Sequence, residues 1–193
     1  NPYHIKQLLN NHGIDKINLV TGGVPCQGFS RANRKHNDHD ERNYLFLEYM
    51  KFVEVFNPDY IILENVSGMR TTAGGKFEYE ITQHMKKLGY DTTIKLVNAV
   101  EYGVPQFRQR LIFVGVKENS GLTIPYTFPD GLFTTPNDYR TVYDAISDLP
   151  KLGNSEEKTK YTIKPKTDYQ KFLRGECEFH TVKPAQLSNH VSP

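Results

Sequence analysis

The fold class is decided by one short stretch, Tyr60-Ile61-Ile62-Leu63-Glu64-Asn65-Val66. Its first four residues form a continuous apolar run, which is typical of a parallel strand buried on both faces. Asn57-Pro58 ends a helix pattern over residues 44–56 just before this run, since proline cannot continue a helix. We therefore predict a buried strand of an α/β sheet, with Glu64 at its C-terminal end.

Helix and strand patterns alternate on both sides of this stretch. Helices are predicted over residues 3–12 and 77–88, and Gly13 and Gly89 end them. Short strands are predicted at residues 17–20, 92–97 and 111–116. This order predicts an α/β sheet whose strands are joined by crossover helices.

The pattern changes after residue 120, where proline and glycine recur and apolar runs become rare. One further helix is predicted over residues 141–149. Residues 150–170 are rich in lysine and threonine and are interpreted as a linker or surface segment. We therefore divide the chain into residues 1–120 and 121–193.

Composition narrows the classes of protein to consider. Of the 193 residues, 37% are hydrophobic and 24% are charged, which fits a globular domain rather than a disordered or fibrous chain. The sequence has neither a long apolar run nor a signal-peptide pattern, so we expect no membrane segment. A net charge of +2 does not by itself indicate a nucleic-acid binder, although basic residues crowd into residues 31–42.

The two cysteines, Cys26 and Cys177, lie far apart, and neither has a partner at metal-ligand spacing. We therefore expect no metal site and no disulfide framework, and an intracellular setting. Cys26 follows the strand at 17–20 and a Gly-Gly-x-Pro turn, where the sites of open α/β sheets gather. A thiol there is exposed and can ionise, although a lone cysteine is more often a buried structural residue.

Two further groups could take part in chemistry. Glu64 ends the apolar run at the same predicted sheet edge, and a carboxyl group beside apolar residues tends to keep its proton and act as an acid. Arg108 and Arg110 precede the strand at 111–116, and residues two apart in extended backbone face the same way. Two guanidinium groups on one side can bind phosphates or a base carbonyl. Taken singly, Glu64 is better explained as a solvated carboxylate at a strand end, and the two arginines are also typical of an ordinary basic strand entry.

Taken in order, these residues resemble the signature blocks of the cytosine-5 DNA methyltransferase family. The blocks are Gly22-Gly23-Val24-Pro25-Cys26-Gln27-Gly28-Phe29-Ser30, then Arg42-Asn43-Tyr44-Leu45-Phe46, Glu64-Asn65-Val66, and Tyr102-Gly103-Val104-Pro105-Gln106 followed by Arg108 and Arg110. The resemblance is strong over residues 14–116 and extends weakly through residues 141–150.

This resemblance implies the Rossmann-like, three-layer α/β/α sheet of S-adenosylmethionine-dependent methyltransferases, of which the chain is the second half. Residues 1–120 then belong to the catalytic domain, with the catalytic loop at residues 22–43. Residues 121–193 are then the lead-in to the target-recognition region.

The resemblance also implies covalent catalysis on cytosine. Cys26 is then the nucleophile that adds to carbon 6, while Glu64 hydrogen-bonds to N3 and reads the exocyclic amine. Arg110 holds O2, and Arg108 helps to place the loop or the backbone. The remaining members of the implied catalytic set are Asn65, which orders the turn, and Gln106.

Double-stranded DNA is the implied partner, because a base must leave the duplex to reach a thiolate. The catalytic loop would close over the flipped nucleotide. The implied DNA contacts, which position the substrate rather than specify it, are Gln27, Ser30, Arg31, Arg34 and Lys35.

S-adenosylmethionine is the implied methyl donor, but only Pro25 and Leu45 of its pocket are expected in this chain. The family's glycine-rich block, its acidic ribose-binding residue and its closing block do not appear in the sequence. We therefore expect an incomplete pocket and a fragment that is inactive alone. We also expect an exposed sheet edge, which favours aggregation.

Three alternatives stay open. The same chemistry could act on tRNA cytosine, or the chain could be a non-catalytic DNA-binding homologue, which would have no need for a thiol beside Glu64. An unrelated thiol enzyme would need a histidine base, and His36 and His39 have no visible orienting partner. The leading interpretation places the protein in the bacterial cytoplasm, at the nucleoid, in a restriction–modification system or as an orphan enzyme, with no oligomeric state predicted.

Overall fold

The computed structural model describes residues 1–24, 44–118, 121, 126–161 and 163–178. The chain divides into two compact units: unit 1 comprises residues 1–97 and 109–129, and unit 2 comprises residues 98–108 and 130–193. The division predicted after residue 120 lies near the boundary that follows Pro129. The sequence pattern does not indicate that residues 98–108 group with the later part of the chain. The functional roles assigned to the two parts stay predictions.

Unit 1 is a sheet with helices, as predicted. In the described residues its helices and strands are α1 (Pro2–Asn11), β1 (Leu19–Gly23), α2 (Phe46–Phe56), β2 (Tyr60–Val66), α3 (Lys76–Lys87), β3 (Tyr90–Asn98) and β4 (Gln109–Lys117). The strand order is β1-β2-β4-β3. Strands β1 and β2 are parallel and β2 and β4 are antiparallel. The predicted α/β sheet is therefore confirmed, and it is mixed.

The predicted strand at residues 60–63 is the central part of this sheet, and it is longer than its apolar run. Strand β2 continues through Val66, so Glu64 and Asn65 lie inside the strand rather than after it. Helix α2 ends at the predicted place, because Asn57 adopts a left-handed conformation with φ of 46° and its N–H donates to the Val53 carbonyl. Asparagine tolerates this conformation better than most residues.

The core lies on one face of the sheet, between β2 and β4 and the helices α2 and α3. Alternate residues of the two strands point into it because side chains alternate along a strand. The fully buried members are Ile61, Leu63, Leu111 and Phe113 from the strands, and Phe46, Phe77, Ile81 and Met85 from the helices. The intervening residues Ile62, Glu64 and Ile112 are only half-buried, so the candidate site lies on the less covered face.

Tyr49 of α2 fixes β1 against β2. Its hydroxyl lies 3.1 Å from the carbonyl oxygens of both Val20 and Ile62, one on each strand. Its ring packs so close to Gly22 that a Cβ atom there would lie 2.6 Å from Cδ2 of the ring. Gly22 therefore permits the contact that holds the end of β1 in place.

Unit 2 contains two short helices in its described part, α4 (Val142–Ile146) and α5 (Asp168–Leu173). Helix α4 confirms the helix predicted over residues 141–149, although it is shorter. Helix α5 shows that the linker predicted over residues 150–170 was wrong at its end. Thr167 and Gln170 form both halves of a capping box there, a known start signal for helices.

A buried ion pair joins the two helical segments of unit 2. The Arg174 guanidinium binds both carboxylate oxygens of Asp148, at 2.6 and 3.0 Å, and also donates to the Ala145 carbonyl. Gln170 extends the junction by donating from Nε2 to the Ser147 hydroxyl at 2.9 Å. Since the ion pair is satisfied in a bidentate geometry, it fixes the relation of α4 to α5.

No helix within the described ranges is both long and apolar enough to span a membrane. Among the same residues no group of three or more histidine, cysteine, aspartate or glutamate side chains has metal-site geometry.

Candidate active site

Glu64 and Arg110 form the centre of the candidate site in unit 1. In the antiparallel register, Glu64 pairs with Ile112 and Val66 pairs with Arg110, which puts the two charged side chains on one face as diagonal neighbours. Nε of Arg110 lies 2.5 Å from Oε1 of Glu64, and its NH1 group donates to the Gln109 carbonyl at 2.8 Å. The structure therefore brings together two residues that the sequence predicted separately.

The surroundings of Glu64 differ from the expectation. The carboxyl group is paired with a guanidinium and its side chain is 40% exposed, while that of Arg110 is 22% exposed. The sequence did not predict this pairing: half-buried Ile62 and Ile112 share the face of Glu64, but the partner of the carboxyl group is the Arg110 guanidinium. Glu64 thus enters the site as an accessible, partnered carboxyl group.

The parallel register places the end of β1 beside Glu64. Gly23 pairs with Glu64, and a Cβ atom at Gly23 would lie 3.4 Å from Oε2 of that carboxyl group. The chain continues directly from here to Pro25 and Cys26. Those two residues lie outside the described part of the chain, as do Gln27, Ser30, Arg31, Arg34 and Lys35.

Asn65 supports the strand beneath the site. It is 1% exposed, and its Oδ1 accepts a hydrogen bond from the N–H of Val66 at 2.8 Å. This bond fixes the backbone where β2 ends and the 3₁₀ turn Ser67–Arg70 begins. Asn65 lies within the strand rather than in the turn, and the role predicted for it in catalysis stays a prediction.

Gln106 and Arg108 belong to an exposed segment of unit 2. Strand β4 begins at Gln109, so the extended backbone that was expected to carry both arginines on one side does not include Arg108. The Arg108 N–H donates to Oδ1 of Asn98, and its carbonyl accepts from the Ala99 N–H, each at 3.0 Å. The Gln106 N–H donates to the Val104 carbonyl at 2.7 Å. The segment before β4 is thus a hydrogen-bonded loop with outward-facing side chains.

Residues far along the chain hold this loop, and the sequence analysis missed them. The Tyr169 hydroxyl donates to the Gly103 carbonyl at 3.0 Å, and the Phe133 N–H donates to the Glu101 carbonyl at 3.1 Å. The Arg140 guanidinium lies over the rings of Phe133 and Tyr169, 5.7 and 5.0 Å from their centroids. Burial raises the pKa of the Tyr169 hydroxyl and lowers the pKa of Arg140. No local pattern marks these contacts, because they join residues that are distant in sequence.

Leu45 is the one predicted cofactor residue within the described ranges. It is half-buried at the N-terminal end of α2. Two cavities, of about 470 and 340 Å³, lie beside Tyr3 and Lys51 and beside Arg70 and Tyr79. Neither is lined by Leu45 or Glu64. The contribution of Leu45 to a cofactor pocket therefore stays a prediction.

A model of the C-5 cytosine-specific DNA methylase family matches residues 3–186 of the chain. The chain belongs to this family. The match covers the blocks around Cys26, Glu64 and Arg110, and it extends over parts of both compact units. The family's cofactor is S-adenosylmethionine, and the predicted Rossmann-like fold class follows from the same membership.

Curated relatives agree with this assignment. The Type II methyltransferase M1.HphI of Haemophilus parahaemolyticus is 39% identical over 77% of the chain, and M.XorII of Xanthomonas oryzae is 38% identical over 84%. A plant relative, the DNA (cytosine-5)-methyltransferase CMT1 of Oryza sativa, is 31% identical over 82% of the chain. The chain spans 39% and 38% of the two bacterial relatives and 18% of the plant relative.

Solved structures show the same fold. A crystal structure of a candidate DNA modification methyltransferase encoded within an E. coli prophage is 30% identical, with a TM-score of 0.61. The match covers 79% of this chain and 40% of that one. Spodoptera frugiperda DNMT2, at 23% identity and a TM-score of 0.51 over 80% of this chain and 44% of its own, shares the fold.

Proposed function

We propose that this chain carries the nucleophile and the base-recognition residues of an enzyme that methylates carbon 5 of cytosine in duplex DNA. The observation that carries the proposal is the Glu64–Arg110 pair, held on one sheet face beside the end of β1. Family membership and the bacterial Type II relatives support the same activity. They also suggest a role in a bacterial restriction–modification system.

The reach of the chain supports Cys26 as the nucleophile. Cys26 lies three positions after Gly23, and three extended residues span at most about 11 Å. Gly23 pairs with Glu64, so this length is enough to bring a thiol over the carboxyl group. A thiolate is also the side-chain nucleophile best suited to adding to an electron-poor ring near neutral pH.

The proposed reaction begins when the Cys26 thiolate forms a bond to carbon 6 of a flipped cytosine. The electron pair of the 5,6 double bond moves into the ring, where Glu64 at N3 and Arg110 at O2 stabilise the charge. S-adenosylmethionine, when bound, would supply a methyl group that carbon 5 takes with this electron pair, while the methyl–sulfur bond breaks and its electrons stay on the cofactor sulfur. A base then removes the proton from carbon 5, the electrons of that carbon–hydrogen bond re-form the 5,6 double bond, and the bond from carbon 6 to sulfur breaks to release the Cys26 thiolate.

The other residues take supporting roles. Asn65 orders the backbone behind Glu64, while Gln106 and Arg108 position the loop and the DNA backbone. Pro25 and Leu45 contribute to the cofactor pocket. The loop contacts to DNA fall on Gln27, Ser30, Arg31, Arg34 and Lys35.

The test is covalent trapping by the full-length gene product. Duplex DNA in which 5-fluorocytosine replaces cytosine is incubated with S-adenosylmethionine, because fluorine at carbon 5 blocks the loss that would release the enzyme. We expect an adduct that survives denaturing electrophoresis and disappears in Cys26→Ala. The matched control is Cys177→Ala, which should keep the adduct because Cys177 lies outside the signature blocks.

Three other outcomes would each contradict a part of the proposal. An adduct on fluorinated tRNA but not on DNA would move the same chemistry to RNA. An adduct that persists in Cys26→Ala would contradict the assigned nucleophile. Failure to trap either nucleic acid would favour a non-catalytic DNA-binding homologue.

A further inference from the structure

An aromatic side chain stands out on the loop that carries Arg108. Phe107 is 77% exposed, more than any other large hydrophobic side chain in the described part of the chain. Single exposed apolar residues are common on protein surfaces and do not by themselves indicate a partner. Phe107 differs because both its ring and its backbone are held in place.

The ring of Phe107 is oriented by Tyr139. The two rings meet edge to face, with centroids 5.8 Å apart and an interplanar angle of 76°, an arrangement that aromatic pairs favour. The next residue, Arg108, is hydrogen-bonded at both its N–H and its carbonyl. The aromatic face is therefore presented in one orientation, and a partner that packs on it immobilises few additional torsions.

The neighbouring side chains define the chemistry of that partner. Gln106 and Arg108 are both exposed, so the loop offers an amide, a flat ring and a cation in succession. The carboxylate of Asp138, next to Tyr139 in sequence, accepts a hydrogen bond from Thr135 at 2.7 Å. A nucleotide matches this set, because its flat faces pack on aromatic rings and its phosphate binds a guanidinium.

We propose that Phe107 and Tyr139 form an aromatic contact surface for DNA, on which the flat face of a nucleotide packs while Arg108 binds an adjacent phosphate. The inference rests on the proposed function, since it names a DNA contact of the same enzyme. The new element is an apolar contact, whose contribution to DNA affinity does not depend on salt concentration.

The experiment measures binding of the full-length protein to a labelled mixed-sequence duplex by fluorescence anisotropy over a series of salt concentrations. Phe107→Leu should weaken binding about tenfold at every salt concentration, because it removes an aromatic contact and no charge. The slope of log K against log salt should stay unchanged. Arg108→Ala should instead reduce that slope by about one, as expected for one lost phosphate contact.

Two further variants control the result. Phe107→Trp keeps a flat ring and should retain the affinity. Tyr79→Leu removes another exposed aromatic side chain, 65% exposed on α3 of unit 1, and should leave binding unchanged. The flat face that packs on Phe107 belongs either to a base or to a deoxyribose. Duplexes with an abasic site at successive positions around the target distinguish the two. The effect of Phe107→Leu should vanish at one position if a base is packed, and persist throughout if a deoxyribose is packed.

The inference fails if Phe107→Leu binds like the wild-type protein, or if its salt slope falls as in Arg108→Ala. The latter result would mean that the loop had moved and carried Arg108 with it. Trapping with 5-fluorocytosine DNA, done with the same protein preparations, tests the proposed methyl transfer independently of the proposed aromatic surface. An adduct together with normal Phe107→Leu binding overturns this inference alone, whereas weakened binding without any wild-type adduct supports the surface and refutes the methyl transfer.

Discussion

Arg110 binds one oxygen of Glu64, and this ion pair orients both side chains in the absence of a substrate. Partly exposed ion pairs contribute little to folding, typically about 0–1 kcal/mol. Opening the pair to admit a cytosine therefore costs little. In the proposed reaction Arg110 then binds O2 while Glu64 turns to N3, and until that point the pair keeps both groups on one face.

Arg110→Lys keeps the positive charge but removes the planar fork that can bind Glu64 and a base oxygen together. We expect the rate of adduct formation to fall about 100-fold, the usual effect of losing one well-placed donor to a developing charge. DNA affinity should change little. Single-turnover trapping on 5-fluorocytosine DNA, with separate binding measurements, distinguishes the two effects.

The matched control is Arg70→Lys, whose guanidinium lies 3.5 Å from Glu78 on the surface of the same unit. It should trap DNA at the wild-type rate. A normal rate for Arg110→Lys would remove Arg110 from the catalytic set.

At the scale of elements, the strands were predictable where burial imposed an apolar pattern. Residues 60–63 predict β2 because both faces of the strand carry apolar side chains. The direct ion pair of Glu64 with Arg110 was not predicted, since it depends on the antiparallel register of β2 with β4; the family resemblance implied only that both residues bind the same cytosine. Helix α5 has only six residues, so the helical spacing of Tyr169, Phe172 and Leu173 was too short a pattern to predict it. The capping box of Thr167 and Gln170 was a second local signal.

The junction of β1 with α2 gives a stability prediction. Gly22→Ala places a Cβ atom 2.6 and 2.8 Å from two atoms of the Tyr49 ring, and the ring is held by hydrogen bonds to both strands. We expect a loss of about 1–3 kcal/mol in the free energy of unfolding from this overpacking. Urea unfolding of the full-length protein, followed by circular dichroism, measures it.

The adjacent Gly23→Ala provides the comparison. Among the described residues its Cβ atom would meet only Oε2 of Glu64, at 3.4 Å, so stability should be nearly unchanged. Equal losses in the two variants would mean that strand flexibility, and not contact with Tyr49, decides the effect.

At the scale of the whole molecule, β1 lies at the edge of the described sheet. Alternate residues of β1 are exposed, and the backbone groups on the outer side of an edge strand can pair with another chain. The 193 residues span 39% of the M1.HphI methyltransferase. These two observations lead to a prediction for the 193-residue chain when it is produced alone.

We predict that the isolated 193-residue segment self-associates and neither binds S-adenosylmethionine nor forms the DNA adduct. Light scattering measures self-association, calorimetric titration measures cofactor binding, and trapping on 5-fluorocytosine DNA measures adduct formation. Thr21→Lys puts a charge on an exposed position of β1 and should reduce self-association without restoring cofactor binding. A monodisperse segment that traps DNA would contradict the prediction.

Three tyrosine hydroxyls lie where water is largely excluded: Tyr49 between two strands, Tyr90 against the Pro58 carbonyl, and Tyr169 against the Gly103 carbonyl. Burial raises the pKa of each of them. The stability linked to these groups is therefore complete below the ordinary tyrosine value of about 10 and is lost as the pH rises above it. The segment has 12 tyrosines and no tryptophan, so tyrosine dominates its near-ultraviolet absorbance. A cooperative rise of tyrosinate absorbance at alkaline pH would thus report the unfolding of each unit.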